Sequence, residues 1–142
     1  MTQTHAIEHE IAVRADPATV HRAVSTREGL RGWNTSSVAG HGSVGTEWVL
    51  SYKGKPEFAW RVDRSDESGV LWTCTKGPGD SVGTTVSYEL VPLPDGRTRV
   101  SLKHAGWPHR EGNFTKCNTL WGGLLLHLKN FVESGQPTPA HP

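Results

Sequence analysis

Runs are what this chain lacks. No block of like charges interrupts its 142 residues, and 15 Lys and Arg against 14 Asp and Glu leave a net charge of +1 with His neutral. Proteins that grip nucleic acid or an anionic bilayer concentrate positive charge, so no nucleic acid partner is expected. No apolar stretch reaches the roughly 20 residues that a membrane-spanning helix needs. The opening MTQTHAIEHE has neither the basic nor the apolar part of a secretion signal. No membrane insertion is expected, and the expected location is cytoplasmic. Cysteine is scarce. Cys74 and Cys117 stand far apart, without the spacing of a zinc ligand set or the density of a disulfide framework, and both read as buried thiols. The eight His are scattered, and His104 and His109 lack ligand-pair spacing, so neither a metal nor a cofactor is expected.

What is present is large aromatic side chains and turn formers. Six Trp, three Phe and two Tyr supply much buried area per residue, enough for the core of one domain over residues 1–142. Sixteen Gly and nine Pro mark many turns. Residues 1–6 read as a loose tail. Residues 7–14 alternate, with Ile7, His9, Ile11 and Val13 on one side, as a half-buried strand does. Asp16-Pro17 is a helix cap followed by a first-turn proline, predicting a helix over 17–24 that turns Val20, Ala23 and Val24 inward. Ser25 or Thr26 caps a second short helix, anchored by Leu30 and Trp33.

A Ser- and Gly-rich loop over 34–45 follows. Alternation then predicts strands over 47–52, 57–63, 70–75, 84–91 and 97–104, with a polar turn at 63–69, a loop at 76–83 and a tight turn at 94–96. Residues 113–133, NFTKCNTLWGGLLLHLKNFVE, carry the one sustained helical period. Phe114, Cys117, Trp121, Leu124, Leu125, Leu128 and Val132 share a stripe. At 1.5 Å per residue this rod is roughly 30 Å long, enough to cover a small sheet. Gly122 and Gly123 each cost about 1 kcal/mol against Ala in a helix interior, which suggests close packing or room for a guest. Ser134-Gly135 ends the helix, and Pro137 and Pro139 predict an unstructured tail. The expected fold class is α+β: a curved antiparallel sheet of six or seven strands, covered on one face by the long C-terminal helix, with two short helices after the first strand.

This order resembles the helix-grip fold of the START/SRPBCC superfamily, and within it the bacterial branch similar to the C-terminal domain of the activator of the heat-shock chaperone ATPase. The residues that carry the resemblance are IAVRADPATVHRAVSTREGLRGW at 11–33, VGTEW at 44–48, TRVSLKHAGW at 98–107 and WGGLLLHLKNFVESG at 121–135. It covers residues 7 to 135, and none of these motifs is catalytic. It implies a cavity between sheet and long helix that binds apolar or amphipathic small molecules. Some superfamily relatives act as polyketide cyclases or aromatases, and others present lipids.

Candidate ligand-binding residues follow from the inward faces. Trp48, Tyr52, Phe58, Trp60, Trp72, Tyr88, Trp107 and Trp121 either line a cavity or simply fill the core, the ordinary role of such residues. Asn118, Trp121, Gly122 and Leu125 lie near the middle of the helix, and Cys74 and Cys117 face inward. His104, on the inward face of the last strand, is the candidate catalytic acid or base; the commoner alternative is a satisfied histidine bonded to backbone. Neither cysteine has a neighbouring base in sequence, as a nucleophile would need. The segment 40–45 is Gly-rich but lacks the Lys-Ser/Thr of a phosphate loop, so a mobile loop at the cavity mouth is expected. Leu126 points off the apolar stripe and hints at a homodimer surface. Three functions remain open: a binder of a small apolar or aromatic molecule, an enzyme of the cyclase, aromatase or hydrolase type using His104, Asn118 or Tyr88, and a co-chaperone-like interaction module.

Overall fold

The computed structural model describes residues 4–142. Seven strands form one antiparallel sheet: β1 (His5–Val13), β2 (Ser37–Ala39), β3 (Glu47–Ser51), β4 (Phe58–Asp66), β5 (Gly69–Lys76), β6 (Thr85–Pro92) and β7 (Thr98–Trp107), in the spatial order β1-β7-β6-β5-β4-β3-β2. Two short helices, α1 (Pro17–Ser25) and α2 (Arg27–Trp33), follow β1, and the long helix α3 (Asn113–Ser134) closes the chain's regular structure. This is the helix-grip arrangement, with the curved sheet wrapped around α3.

The local signals act as their chemistry requires. The Asp16 carboxylate accepts from Thr19 N at 2.8 Å and Pro17 opens α1. Thr26 caps α2 by accepting from Gly29 N at 3.0 Å. Alternating residues of neighbouring strands meet in rows on the covered face. Trp72, Val86, His104 and Ile7 form one such row across β5, β6, β7 and β1, and all four are buried. Irregularities between Val62 and Arg64 and between Ala59 and Trp60 interrupt the β4–β5 register, and such bulges bend a sheet.

Several expectations are corrected. The supposed turn at 63–69 is mostly strand, because Arg61, Asp63, Arg64 and Asp66 pair with one another along β4: Arg61 with Asp63 at 2.8 Å, Arg64 with Asp66 at 2.9 Å. Their polarity reflects an outward face, not a turn. The loop 34–45 contains β2, three residues long and too short to show a period, where Val38 faces Leu50. Strand β1 begins at His5, inside the expected tail, and the rest of that tail, residues 1–3, lies outside the described residues. The C-terminal tail is not unstructured. Thr138 N donates to Gly32 O, Ala140 N to Trp33 O and His141 N to Asn34 O, each at 3.0 Å, and Ser36 N returns to His141 O at 3.0 Å. Proline removes donors but leaves the intervening N–H groups free to pair.

Helix α3 is held along β1 by its polar flank. Asn118 Oδ1 meets His9 Nε2 at 2.9 Å, Lys129 Nζ donates to Ala12 O at 2.7 Å, and Glu133 accepts from Arg14 N at 2.8 Å. A Cβ added to Gly32 would fall 2.4 Å from the Phe131 ring, so α2 and α3 meet face to face at a residue without a side chain. Gly122 and Gly123 have no such role. The nearest atom to a Cβ on Gly122 is His9 Cε1 at 3.9 Å, and nothing lies within 4 Å of one on Gly123. Neither close packing nor a guest explains them. Gly123→Ala is therefore expected to raise stability by about 0.5–1 kcal/mol in urea denaturation, the helix-propensity difference alone; a loss of stability would show a packing role that this geometry lacks.

Candidate functional site

A cavity of about 720 Å³ opens between the sheet and the N-terminal half of α3. That is within the roughly 300–1,000 Å³ of small-molecule sites. Its floor is aromatic. Phe58 and Trp60 stack with centroids 5.8 Å apart and planes at 6°, Trp72 lies 6.0 Å from Trp60, and Trp121 descends from α3. Tyr52 stands at one side, edge-on to Phe58 at 6.1 Å and to His141 at 4.8 Å. His141 belongs to the C-terminal tail, so the segment expected to be unstructured supplies part of the wall. Its paired backbone is what brings it there.

Six of the expected site residues line this cavity: Tyr52, Phe58, Trp60, Trp72, His104 and Trp121. The other seven do not. Trp48 is buried beneath the β2–β3 connection, against Gly40 and Gly42. The segment 40–45 expected at the mouth thus packs on Trp48, with Gly42 also facing Ser25 O, and contributes nothing to the lining. Cys74 lies under the floor with its thiol donating to Lys76 O at 3.3 Å. Tyr88 is enclosed by Trp33, Trp72 and Trp121, and its hydroxyl has no partner among the described residues. Trp107 is in the core with Phe114 edge-on at 6.0 Å. Asn118 and Gly122 face β1, and Leu125 is sealed in the core.

On α3 the face toward the cavity is Asn113, Cys117, Leu120, Trp121 and Leu124. Cys117, Trp121 and Leu124 belong to the expected apolar stripe; of the helix-middle ligand candidates Trp121 lines the cavity, while Asn118, Gly122 and Leu125 are each one residue, about 100° of helix rotation, away from a lining position. The bond from Asn118 to His9 fixes the rotation. The apolar spacing of Cys117, Trp121 and Leu124 was visible in the sequence; Asn34, Lys55, Pro78 and Lys116, which also line the cavity, gave no periodic signal because they sit on a helix cap, loops and a rim.

His104 is 1% exposed and its ring is fully engaged. The indole N–H of Trp121 donates to His104 Nδ1 at 3.0 Å. An indole nitrogen only donates, so Nδ1 is the bare nitrogen and Nε2 carries the hydrogen. Nε2–H then donates to Thr84 Oγ1 at 2.8 Å, and Thr84 Oγ1–H donates to Ser81 O at 2.6 Å. The partners are side chains, not the backbone expected from the sequence. Burial pushes the His104 pKa down to about 3. A neutral ring with both nitrogens occupied has no lone pair for a guest. The thiols are equally unreactive: burial pushes both Cys74 and Cys117 up to about 11, which leaves them protonated at neutral pH. Tyr52 O–H donates to Asn34 Oδ1 at 3.0 Å, and burial raises its pKa. Among the described residues no group of three or more His, Cys, Asp or Glu gathers. No helix there is long and apolar enough to cross a membrane.

Comparison with known proteins agrees with this fold. The family model described as "Activator of Hsp90 ATPase homolog 1-like protein" matches residues 14–133. The chain belongs to that family. Its helix-grip architecture is the SRPBCC type. No curated protein matches the chain significantly. Among solved structures it is similar to the Aha1 dimer from Colwellia psychrerythraea, at 28% identity and a TM-score of 0.84, over 92% of this chain and 98% of that one. It shares its fold with DynU16, a protein of the dynemicin biosynthetic locus, at 18% identity and a TM-score of 0.76 over 93% of this chain; this chain spans 48% of that one. Protein BH1534 of Bacillus halodurans matches at 21% identity and a TM-score of 0.73, over 94% of this chain and 100% of that one.

The His104 arrangement fixes a pH dependence. In the unfolded chain the ring titrates near 6.5; in the folded chain its pKa is about 3. Between these values the unfolded chain binds a proton that the folded one does not, so His104 leaves stability intact above pH 6.5 and lowers it as pH falls toward 3. From pH 7 to pH 5 the expected loss is roughly 2 kcal/mol. Urea denaturation at both pH values should show it, and His104→Gln should reduce the difference by most of that amount. His21 and His141, also lowered by burial, contribute alike to both proteins. An identical pH dependence in the variant would disconnect the ring from the effect.

Proposed function

We propose that this domain binds a small apolar or aromatic molecule in the cavity between the sheet and the N-terminal half of α3. The observation that carries the reading is the cavity itself: about 720 Å³, floored by Phe58, Trp60, Trp72 and Trp121. Stacked indoles and phenyl rings favour a flat guest. Burying about 250 Å² of apolar guest surface at roughly 25 cal/mol per Å² gives about 6 kcal/mol before the cost of association, which corresponds to a modest affinity. A binder needs an apolar hollow with an opening. An enzyme needs in addition a free acid or base; beside this cavity His104 and Tyr52 are hydrogen-bonded and Cys117 is held protonated, which leaves the half-buried His141 as the one lining imidazole without a side-chain hydrogen bond among the described residues. Family membership supports the same reading, since the fold is a ligand-binding one.

A fluorescence-free thermal melt with 1-aminoanthracene tests it. At a ligand concentration 100 times Kd the complex gains about 2.7 kcal/mol, and a rise in Tm of several degrees is expected. Cys117→Trp, which places an indole in the hollow, is expected to abolish the rise while leaving the fold intact. No shift with this or other flat apolar compounds would defeat the reading.

The Colwellia relative is described as a dimer, and the same state is proposed here through the outer face of α3, where Leu126 is 52% exposed. Light scattering is expected to give twice the monomer mass, and Leu126→Lys to return the monomer; a monomer at high concentration would remove the proposal.

A further inference from the structure

Resting on the binding reading, we infer that the ligand is an acid: an apolar or aromatic body inside the cavity with a carboxylate at its mouth. The first observation is the charge of the lining. Lys55 and Lys116 both border the cavity, and no Asp or Glu does among the described residues. Neither lysine forms an ion pair there, although several other Lys and Arg side chains do. The acids in the vicinity are already engaged. Glu57 accepts from Lys76 Nζ at 3.1 Å and Ser51 Oγ at 2.8 Å; Asp80 is paired with His109 Nε2 at 3.1 Å and takes the Asn113 amide at 3.2 Å. The lining itself thus carries two cations and, among the described residues, no carboxylate.

The second observation is the placement of one of these cations. Helix α3 begins at the mouth, and Asn113, Thr115 and Lys116 of its first turn line the cavity. Gly112 provides no capping side chain, and the first turn holds no acidic residue. A helix N-terminus is the positive end of the dipole, where a carboxylate is favoured and a lysine is not. Lys116 therefore stands where the helix dipole disfavours a cation, in a turn that no side chain caps, although the Phe114 and Lys116 amides bond to the Glu111 and Gly112 carbonyls. An anion at this point offsets both.

The third observation is independent of charge. Asn34 is 2% exposed and lines the cavity. Its Oδ1 is occupied by the Tyr52 hydroxyl, while its Nδ2 makes no hydrogen bond among the described residues and is not sealed from solvent. An accessible amide N–H at the cavity wall is a donor that an acceptor on a guest can meet. With Lys55 and Lys116 it makes three side-chain donors at the lining that an acceptor-bearing, negatively charged end would meet.

A matched pair of probes separates this inference from the reading beneath it: 1-pyrenebutyrate and the neutral 1-pyrenebutyramide, titrated by fluorescence into the full chain and into the double variant Lys55→Gln/Lys116→Gln. Both substituted side chains are exposed, so the variant is expected to fold, which its melting curve checks. The acid is expected to bind at least tenfold more tightly than the amide at low salt. That preference should shrink to about twofold in the variant and weaken in 0.5 M salt, as screening demands, while amide binding stays unchanged. Equal binding of acid and amide overturns the carboxylate and leaves the apolar cavity standing. A preference that survives the double substitution overturns the role given to the lysines. Failure of both probes to bind removes the cavity reading and this inference with it.

Discussion

A hydrogen bond in the core joins the covering helix to the sheet. The indole of Trp121, on the covering helix, donates into the bare Nδ1 of His104, on the sheet, and the ring passes its own hydrogen to Thr84 and so to the Ser81 carbonyl. Each donor in this relay has an acceptor in an apolar region where an unmet polar group would cost one to several kcal/mol. Together with the Asn118–His9 and Lys129–Ala12 bonds, the relay sets how α3 lies on the sheet. It also sets the limits of the site's chemistry, because a histidine spent on holding a helix in place has nothing left to offer a substrate.

The hollow exists because α3 is gripped unevenly. Its C-terminal half is fastened to β1 by Lys129 and Glu133 and to α2 by Phe131 lying over Gly32, and Leu125 and Leu128 fill the space beneath. Toward the N-terminus only Trp121 and Leu124 are buried, while Cys117 is half-buried and Leu120 exposed. Helix and sheet stay apart there, and the C-terminal tail closes one side by pairing with residues 32–36. The sheet's own aromatic rows then become a floor rather than a packed interface. The polar rim follows from the same geometry, since the open end of the hollow coincides with the positive end of the helix and with the exposed β3–β4 connection that carries Lys55.

Much of the fold was legible because it rests on periodicity. Alternation marked β3 to β7 within a few residues, the Asp16-Pro17 pair and Thr26 marked two helix starts, and the apolar stripe of 113–133 marked α3. The misreadings share a cause. The paired charges on β4 imitate a turn because a run of polar residues marks an outward strand face as readily as an exposed backbone. Pro137 and Pro139 looked like disorder because their neighbours' N–H groups have partners that are distant in sequence.

For the site, the chain's pattern alone determined that aromatic side chains point at a long amphipathic helix, since the side-chain period of a strand or helix is local geometry. Which of them meet a cavity was decided by tertiary structure. The register of Asn118 against His9, the occupation of both His104 nitrogens and the arrival of His141 beside Tyr52 all join residues far apart in the sequence. A local pattern carries the direction of a side chain but not the identity of what it meets. Rotating one helix by one residue is enough to exchange a lining position for a buried one.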